Sequence, residues 1–147
     1  MYDRILVTLD TTPTDRAIID HVKKLAKAMG SRVILLHVAT GVPAQYQGAN
    51  AGGEEVEEDR AYLDQIKDEF TDAGILAEGE LEFGDPVKQI VNWVRTKGCD
   101  LLAMSTHGHH LLGDIVHGTT ASRVQHSISV PVLLLRARSD PHARSSV

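Results

Sequence analysis

The 147-residue chain lacks several features that would assign it to a membrane or an oxidising compartment. Cys99 is its single cysteine, so an intrachain disulfide is impossible and a metal site built from several thiolates is excluded. No apolar run approaches the roughly 18 residues of a membrane-spanning helix, and no signal-peptide pattern opens the chain. We therefore expect a cytoplasmic protein that does not bind membranes.

Basic patches are also scarce. The net charge is -5, and residues 54–82 carry 12 acidic residues against only Arg60 and Lys67. No basic stripe occurs in the remainder of the chain, so we expect no nucleic-acid binding. The acidic segment itself is typical of the solvated surface of a helix.

The common nucleotide-binding signatures are missing as well. No Gly-x-Gly-x-x-Gly follows the first apolar run, which argues against a dinucleotide-binding Rossmann site. Residues 113–120 approximate a P-loop, but Thr119 stands where the lysine belongs and the segment lies too far beyond its strand. We interpret that match as a coincidence.

What the chain does contain is a regular alternation of short apolar runs and amphipathic helical patterns. Helices are predicted to begin near Thr14, near Glu54, at Pro86 and near Thr119, with Thr14 and Asp85 as N-terminal caps. Gly30, Gly74 and Gly98 are the predicted helix ends. The predicted strands are residues 4–9, 33–38, 75–83, 100–105 and 130–136.

This alternation predicts one α/β domain over residues 1–137, with a disordered tail at 138–147. Right-handed crossovers make it a doubly wound five-stranded parallel sheet of the flavodoxin/Rossmann-like type. In such sheets ligands bind beyond the carboxyl ends of the strands, where the strand order reverses. Asp10 and Ser105 each stand at the end of a predicted strand, so we expect them to meet there.

The segment 105–120 is the strongest candidate for ligand binding. It joins a buried strand to a helix through a glycine-rich loop, an outline typical of phosphate binding, because glycines admit an anion and the first amides of a helix donate to it. The segment contains no lysine, so backbone amides, hydroxyls and histidines would hold the anion.

The spacing within this segment resembles the ATP-binding motif of the universal stress protein family. Ser105-Thr106-His107-Gly108 is followed by nine residues and then Gly118-Thr119, whereas the family pattern is Gly, two residues, Gly, nine residues, Gly and Ser or Thr. The resemblance extends over nearly the whole domain, because residues 5–10, 35–38, 84–86 and 130–136 also match family segments in order.

The resemblance implies an adenine nucleotide alpha hydrolase-like fold that binds ATP, with Mg²⁺ or Mn²⁺ held through the phosphates. Asp10 would contact the adenosine portion, Val38 would offer backbone groups to the adenine, and Gly108 would lie along the phosphates. The full candidate set for the nucleotide is Thr8, Leu9, Asp10, Val38, Met104, Ser105, His107, Gly108, Gly118, Thr119 and Thr120.

The resemblance also implies a homodimer formed through residues 130–136, and a role as a nucleotide-responsive stress regulator or chaperone-like module. Two alternatives stay open. Ser105 replaces the first motif glycine, which would suit a dimeric interaction protein of the same family that binds no nucleotide. Slow ATP hydrolysis is the other, although no nucleophile and base stand at a recognisable spacing.

Several single residues also have an interpretation that involves no ligand or metal. Asp10 would serve only as a cap for the first helix if it did not bind a ligand. His107, His109, His110 and His117 are crowded in the loop, and we interpret them as phosphate contacts or exposed residues rather than a dedicated metal site. Cys99 fits a small buried hydrophobic residue, and His37 a packing or surface residue.

Overall fold

A five-stranded parallel sheet forms the centre of the computed structural model, with the strand order β3-β2-β1-β4-β5. The structure describes residues 1–40, 50–106 and 113–136, and for residues 50–52 and 113–119 only the backbone. The strands are β1 (Arg4–Thr8), β2 (Arg32–Ala39), β3 (Ala77–Phe83), β4 (Leu101–Thr106) and β5 (Val132–Arg136).

Helices cover both faces of the sheet. They are α1 (Asp15–Met29), α2 (Asn50–Asp72), α3 (Pro86–Lys97) and α4 (Gly113–Ser127). One core lies between the sheet and helices α1 and α2, and it includes Ile18, Val22 and Phe70. The other lies beneath α3 and α4 and includes Trp93 and Val124. Alternate residues of β1, β2 and β4 enter opposite cores, as the two-residue period of a strand requires.

The doubly wound parallel fold predicted from the sequence is therefore confirmed. The chain adds β2 and β3 on one side of β1 and then returns to add β4 and β5 on the other side. The strand order thus reverses between β1 and β4, the position at which ligands bind in sheets of this type.

Local signals located most element ends correctly. Asp85 caps α3 by accepting a hydrogen bond from the Lys88 amide at 3.1 Å. Gly30 and Gly98 end α1 and α3 in the left-handed conformation that glycine adopts without steric cost.

One helix cap and two helix starts differ from the predictions. Thr14 makes no side-chain cap on α1 and instead shares a hydrogen bond with Thr12, while the Asp15 carboxylate accepts the loop amides. Helix α2 begins at Asn50 rather than near Glu54, because the glycines of its first turn weaken a helix without preventing it. Helix α4 begins at Gly113 rather than near Thr119, since a glycine within a helix costs only about 1 kcal/mol.

Further predictions concern Cys99, the C-terminal tail and the absence of a membrane-spanning helix. Cys99 is buried, as predicted, and burial raises the pKa of its thiol to about 11. The predicted disordered tail at 138–147 lies outside the described residues. Among the helices that the structure describes, none combines the length and the apolar character needed to cross a bilayer.

Candidate functional site

A cleft of about 400 Å³ opens at the carboxyl ends of β1 and β2. This volume lies in the range of small-molecule sites. Asp10 and Val38, which the family resemblance assigned to the same ligand, both line it. Its walls are the β1–α1 loop, the end of β2, the first turns of α2 and the end of β3. The lining residues are Asp10, Thr11, His37, Val38, Ala39, Thr40, Glu55, Val56, Glu58, Asp59 and Phe83.

The floor of the cleft is fixed by hydrogen bonds between β1 and β2. The Leu9 amide donates to the Leu36 carbonyl at 2.8 Å, and Leu9 itself is buried. The His37 ring lies 2.7 Å from the Leu9 carbonyl through Nδ1, which must donate because a carbonyl oxygen only accepts. The other ring nitrogen, Nε2, is 3.6 Å from the Asp59 carboxylate of α2. His37 therefore lies between the sheet and the acidic helix.

Helix α2 reaches the cleft because it packs closely on the neighbouring strand β3. A Cβ atom added at Gly79 of β3 would lie only 3.2 Å from the Leu63 Cβ of α2, so glycine allows this approach. Leu63, Ile66 and Phe70 are buried in the same contact. The preceding turns of α2 then place three carboxylates, those of Glu55, Glu58 and Asp59, over the cleft.

The predicted residues of β4 lie on the far side of β1. Val7 of β1 pairs with Ala103 of β4, so the ends of the two strands are adjacent. Met104 is buried in the core beneath α3 and α4, which leaves only its backbone for a ligand. Ser105 follows on the opposite face of β4, and its buried Oγ is the one buried side-chain polar atom of the described residues without a hydrogen-bond partner.

Asp10 and Ser105 thus end neighbouring strands, but they do not share the cleft. Within the described part of the chain, the cleft is lined by the β1–α1 loop, β2 and the residue that follows it, β3 and α2, and not by β4. Thr8, also predicted to contact the ligand, is half-buried at the end of β1 and pairs with Leu36. The two predicted halves of the site are therefore separated by the carboxyl end of β1.

The glycine-rich segment is described only in part. His107 and Gly108 lie outside the described residues. Gly118 and Thr119 belong to the backbone of helix α4 rather than to its start, and Thr120 follows them with a half-buried side chain. The sequence-based prediction that Thr119 and Thr120 open the helix was therefore wrong in this respect.

Among the cleft residues that sequence reasoning missed, four have acidic or basic side chains. Glu55, Glu58 and Asp59 were interpreted as part of a solvated helix surface, and His37 as packing or surface. The spacing of the three acids by three and four residues places them on one side of a helix, which was the available signal. Only the tertiary contact of α2 with β3 shows that this side covers a cleft.

The described residues contain no group of three or more His, Cys, Asp or Glu side chains arranged to hold a metal ion. The carboxylates of the cleft are therefore spread along its rim rather than gathered around one point.

Comparison with known proteins assigns the family. A sequence model described as the universal stress protein family matches residues 1–136. The chain belongs to the universal stress protein family. Universal stress protein MJ0577 of Methanocaldococcus jannaschii is 27% identical over 158 aligned residues, which cover 95% of this chain and 98% of that protein.

Solved universal stress protein structures share the fold. The MJ0577 structure superposes with a TM-score of 0.79 at 26% identity, covering 95% of this chain and 99% of that one. A universal stress protein in complex with cAMP gives 0.74 at 19% identity, covering 93% and 99%. A universal stress protein of Archaeoglobus fulgidus in complex with dAMP gives 0.67 at 16% identity, covering 90% and 97%.

Proposed function

We propose that this universal stress protein binds ATP across the carboxyl ends of β1, β2 and β4, and acts as a nucleotide-responsive regulator or chaperone-like module in the cytoplasm. The observation that carries the proposal is the cleft in which Asp10 and Val38 lie together, next to the point where the strand order reverses. Family members in complex with cAMP and with dAMP support an adenine nucleotide as the ligand.

The charge of the cleft determines which end of the nucleotide it accepts. Four carboxylates line it, from Asp10, Glu55, Glu58 and Asp59, and among the described lining residues His37 is the one side chain that can become a cation. Carboxylates repel phosphate groups, whereas they accept hydrogen bonds from ribose hydroxyls and from an exocyclic amino group. The nucleoside therefore occupies the cleft, and the phosphates extend away from α2, toward β4.

The end of β4 offers a group for the phosphate side. Ser105 Oγ is buried without a partner, and an unmade hydrogen bond of this kind costs about 1–3 kcal/mol. A ligand oxygen that accepts from Ser105 would remove this cost. The serine thus fits a ligand contact at the position where the family motif has glycine, and Mg²⁺ or Mn²⁺ would bind the phosphates mainly with water.

The first experiment asks whether the purified protein retains or binds the nucleotide. We expect extraction and chromatography to release an adenine nucleotide, and calorimetry of the stripped protein with Mg²⁺ and ATP to show saturable binding. Asp10→Ala should weaken that binding by about 10- to 100-fold, because hydrogen bonds to charged groups contribute about 1.5–3 kcal/mol.

Asp72→Ala is the matched control. It removes the same charge from an exposed residue at the opposite end of α2, so it should leave the affinity unchanged. Absence of bound nucleotide together with absence of calorimetric binding would refute the proposal and favour the interaction protein. ATP turnover well above background that disappears in Asp10→Ala would instead indicate an ATPase.

A further inference from the structure

Asp15 is a fully buried carboxylate at the first position of α1, with 0% of its surface exposed. Its Oδ1 accepts a hydrogen bond from the Asp10 amide at 2.9 Å, and its Oδ2 accepts from the Thr11 amide at 2.9 Å. Both donors belong to the loop that forms one wall of the cleft. The carboxylate therefore fixes the backbone that carries Asp10.

The loop needs such support because its conformation is unusual. Thr11 has a φ angle of +61°, in the left-handed region that β-branched residues rarely adopt. A threonine remains in that region only when surrounding contacts hold it there. The hydrogen bonds that Asp15 accepts from the Asp10 and Thr11 amides are such contacts, since they fix the peptide groups on each side of Asp10, and the second of these leads directly into Thr11.

The same carboxylate also contacts the opposite wall. Tyr62 of α2 donates its hydroxyl to Asp15 Oδ2 at 2.8 Å. Asp59, which lines the cleft, lies three residues earlier on α2, about one helical turn away. Burial, followed by the nearby Asp15 charge, raises the pKa of Tyr62, so the phenol stays a neutral donor.

We propose that Asp15 is a positioning residue that holds the two walls of the nucleotide cleft together. Its carboxylate fixes the conformation of the β1–α1 loop. Through the Tyr62 hydroxyl it also fixes the distance between that loop and helix α2. A nucleoside between Asp10 and the α2 carboxylates would meet both walls at a spacing that Asp15 determines. This inference rests on the proposed nucleotide function.

Asp15→Asn tests the positioning role, because it should weaken ATP binding, whereas the loss of the negative charge alone would strengthen it. An amide offers one oxygen instead of two and adds donors that face the loop amides. We expect ATP affinity to fall by at least 10-fold in calorimetry performed well below the unfolding temperature. Removing a negative charge near an anionic ligand would by itself strengthen binding, so unchanged or tighter binding would overturn the proposal.

Tyr62→Phe keeps the ring and the charge and removes only the hydroxyl contact. We expect a smaller loss, about 3- to 10-fold, in line with one hydrogen bond. This variant also decides the matter if Asp15→Asn does not fold. An affinity equal to that of the wild type in Tyr62→Phe would exclude the connection to α2.

Ser31→Ala is the control for general destabilisation. Ser31 is also buried, and its hydroxyl donates to the Tyr2 carbonyl at the opposite end of the sheet. We expect this variant to lower the unfolding temperature without changing ATP affinity. Parallel losses of affinity and stability in Ser31→Ala and Asp15→Asn would show that Asp15 is merely structural.

Amide hydrogen exchange separates this inference from the proposed function. The Asp10 and Thr11 amides should exchange slowly in the free wild-type protein, rapidly in Asp15→Asn, measurably faster in Tyr62→Phe, and at the wild-type rate in Ser31→Ala. If the wild type binds no adenine nucleotide, the proposed function fails and these rates alone decide whether Asp15 couples the walls. Slow exchange retained in both variants would refute the coupling.

Discussion

At the scale of single residues, Ser105 has the clearest physical consequence among the residues predicted to bind the nucleotide. Its buried Oγ lacks a hydrogen-bond partner, so Ser105→Ala should stabilise the nucleotide-free protein by about 1 kcal/mol. The same change should weaken ATP binding by about 3- to 10-fold if the hydroxyl donates to the ligand. Urea unfolding followed by the fluorescence of Trp93, the single tryptophan, and calorimetry check the two effects.

Ser31→Ala provides the comparison, because that serine hydroxyl is buried and already bonded to the Tyr2 carbonyl. It should destabilise the protein by about 1 kcal/mol, opposite in sign to Ser105→Ala. Equal destabilisation in both variants would contradict the interpretation of Ser105. A Ser105→Gly variant that binds ATP when the wild type does not would favour the interaction protein.

The residues of the cleft show what sequence can and cannot locate. The positions of the strand ends predicted that Asp10 and Ser105 lie at one edge of the sheet, and the family resemblance assigned Val38 to the same ligand as Asp10. His37 and Asp59 were missed. The contact of His37 with the Leu9 carbonyl follows from the register of β1 against β2, and the placement of Asp59 follows from the packing of α2, neither of which is local.

At the scale of elements, helices α1 and α2 are joined by an ionic network centred on Glu69. Arg16 donates to both Glu69 oxygens, at 2.7 and 2.8 Å, and Lys23 donates at 3.1 Å. The hydrogen bond from Arg16 is the main reason that the pKa of Glu69 falls to about 2. The network lies farther along α1 and α2 than the Tyr62–Asp15 bond, so the two helices are joined at two places.

This network predicts a specific loss of stability in acid. The Glu69 pKa is depressed in the folded protein, so its stabilisation is complete above about pH 4.5 and disappears as the pH falls toward about 2. Glu69→Gln should lower the free energy of unfolding by about 1 kcal/mol at neutral pH, a modest value because Arg16 is half exposed and solvent screens the pair. The difference from wild type should vanish across that acidic window.

Denaturant unfolding at several pH values measures the effect. Asp64→Asn is the control, since Asp64 is an exposed acid on the same helix without an ion pair among the described residues. A Glu69→Gln penalty that stays constant from pH 7 to pH 2 would contradict the assignment. Added salt should also reduce the penalty at neutral pH, because the pair is partly open to solvent.

The helix ends divide into those set locally and those set by distant contacts. Gly30, Gly98 and Asp85 act within one turn of their helices, so the sequence located them correctly. Thr14 occupies the N-cap position of α1 without a side-chain cap, because its hydroxyl is hydrogen-bonded to Thr12. The Asp15 carboxylate accepts amides of the preceding loop and is held by Tyr62 of another helix. The starts of α2 and α4 were misplaced because glycines weaken a helix without preventing it.

At the scale of the whole molecule, the two edges of the sheet differ in chemistry. The outer strand β3 presents Glu78, Glu80 and Glu82 on one face, and burial, followed by the charge of Glu78, raises the pKa of Glu80. Such charges discourage a second copy from pairing at that edge. The other outer strand, β5, has the sequence VLLLR, and 38% of the Leu134 surface is exposed.

We therefore predict a homodimer in which β5 pairs antiparallel with β5 of a second copy about a twofold axis. Leu134→Lys should convert the dimer to a monomer with an unchanged circular dichroism spectrum, because each copy would place a charge in a symmetric apolar contact. Light scattering coupled to size-exclusion chromatography measures the mass. Leu76→Lys is the matched control: it makes the same change at a leucine that is 66% exposed beside β3, and it should remain a dimer. A wild-type protein that stays monomeric at micromolar concentration would exclude the dimer. A dimer that survives Leu134→Lys but not Leu76→Lys would place the interface elsewhere.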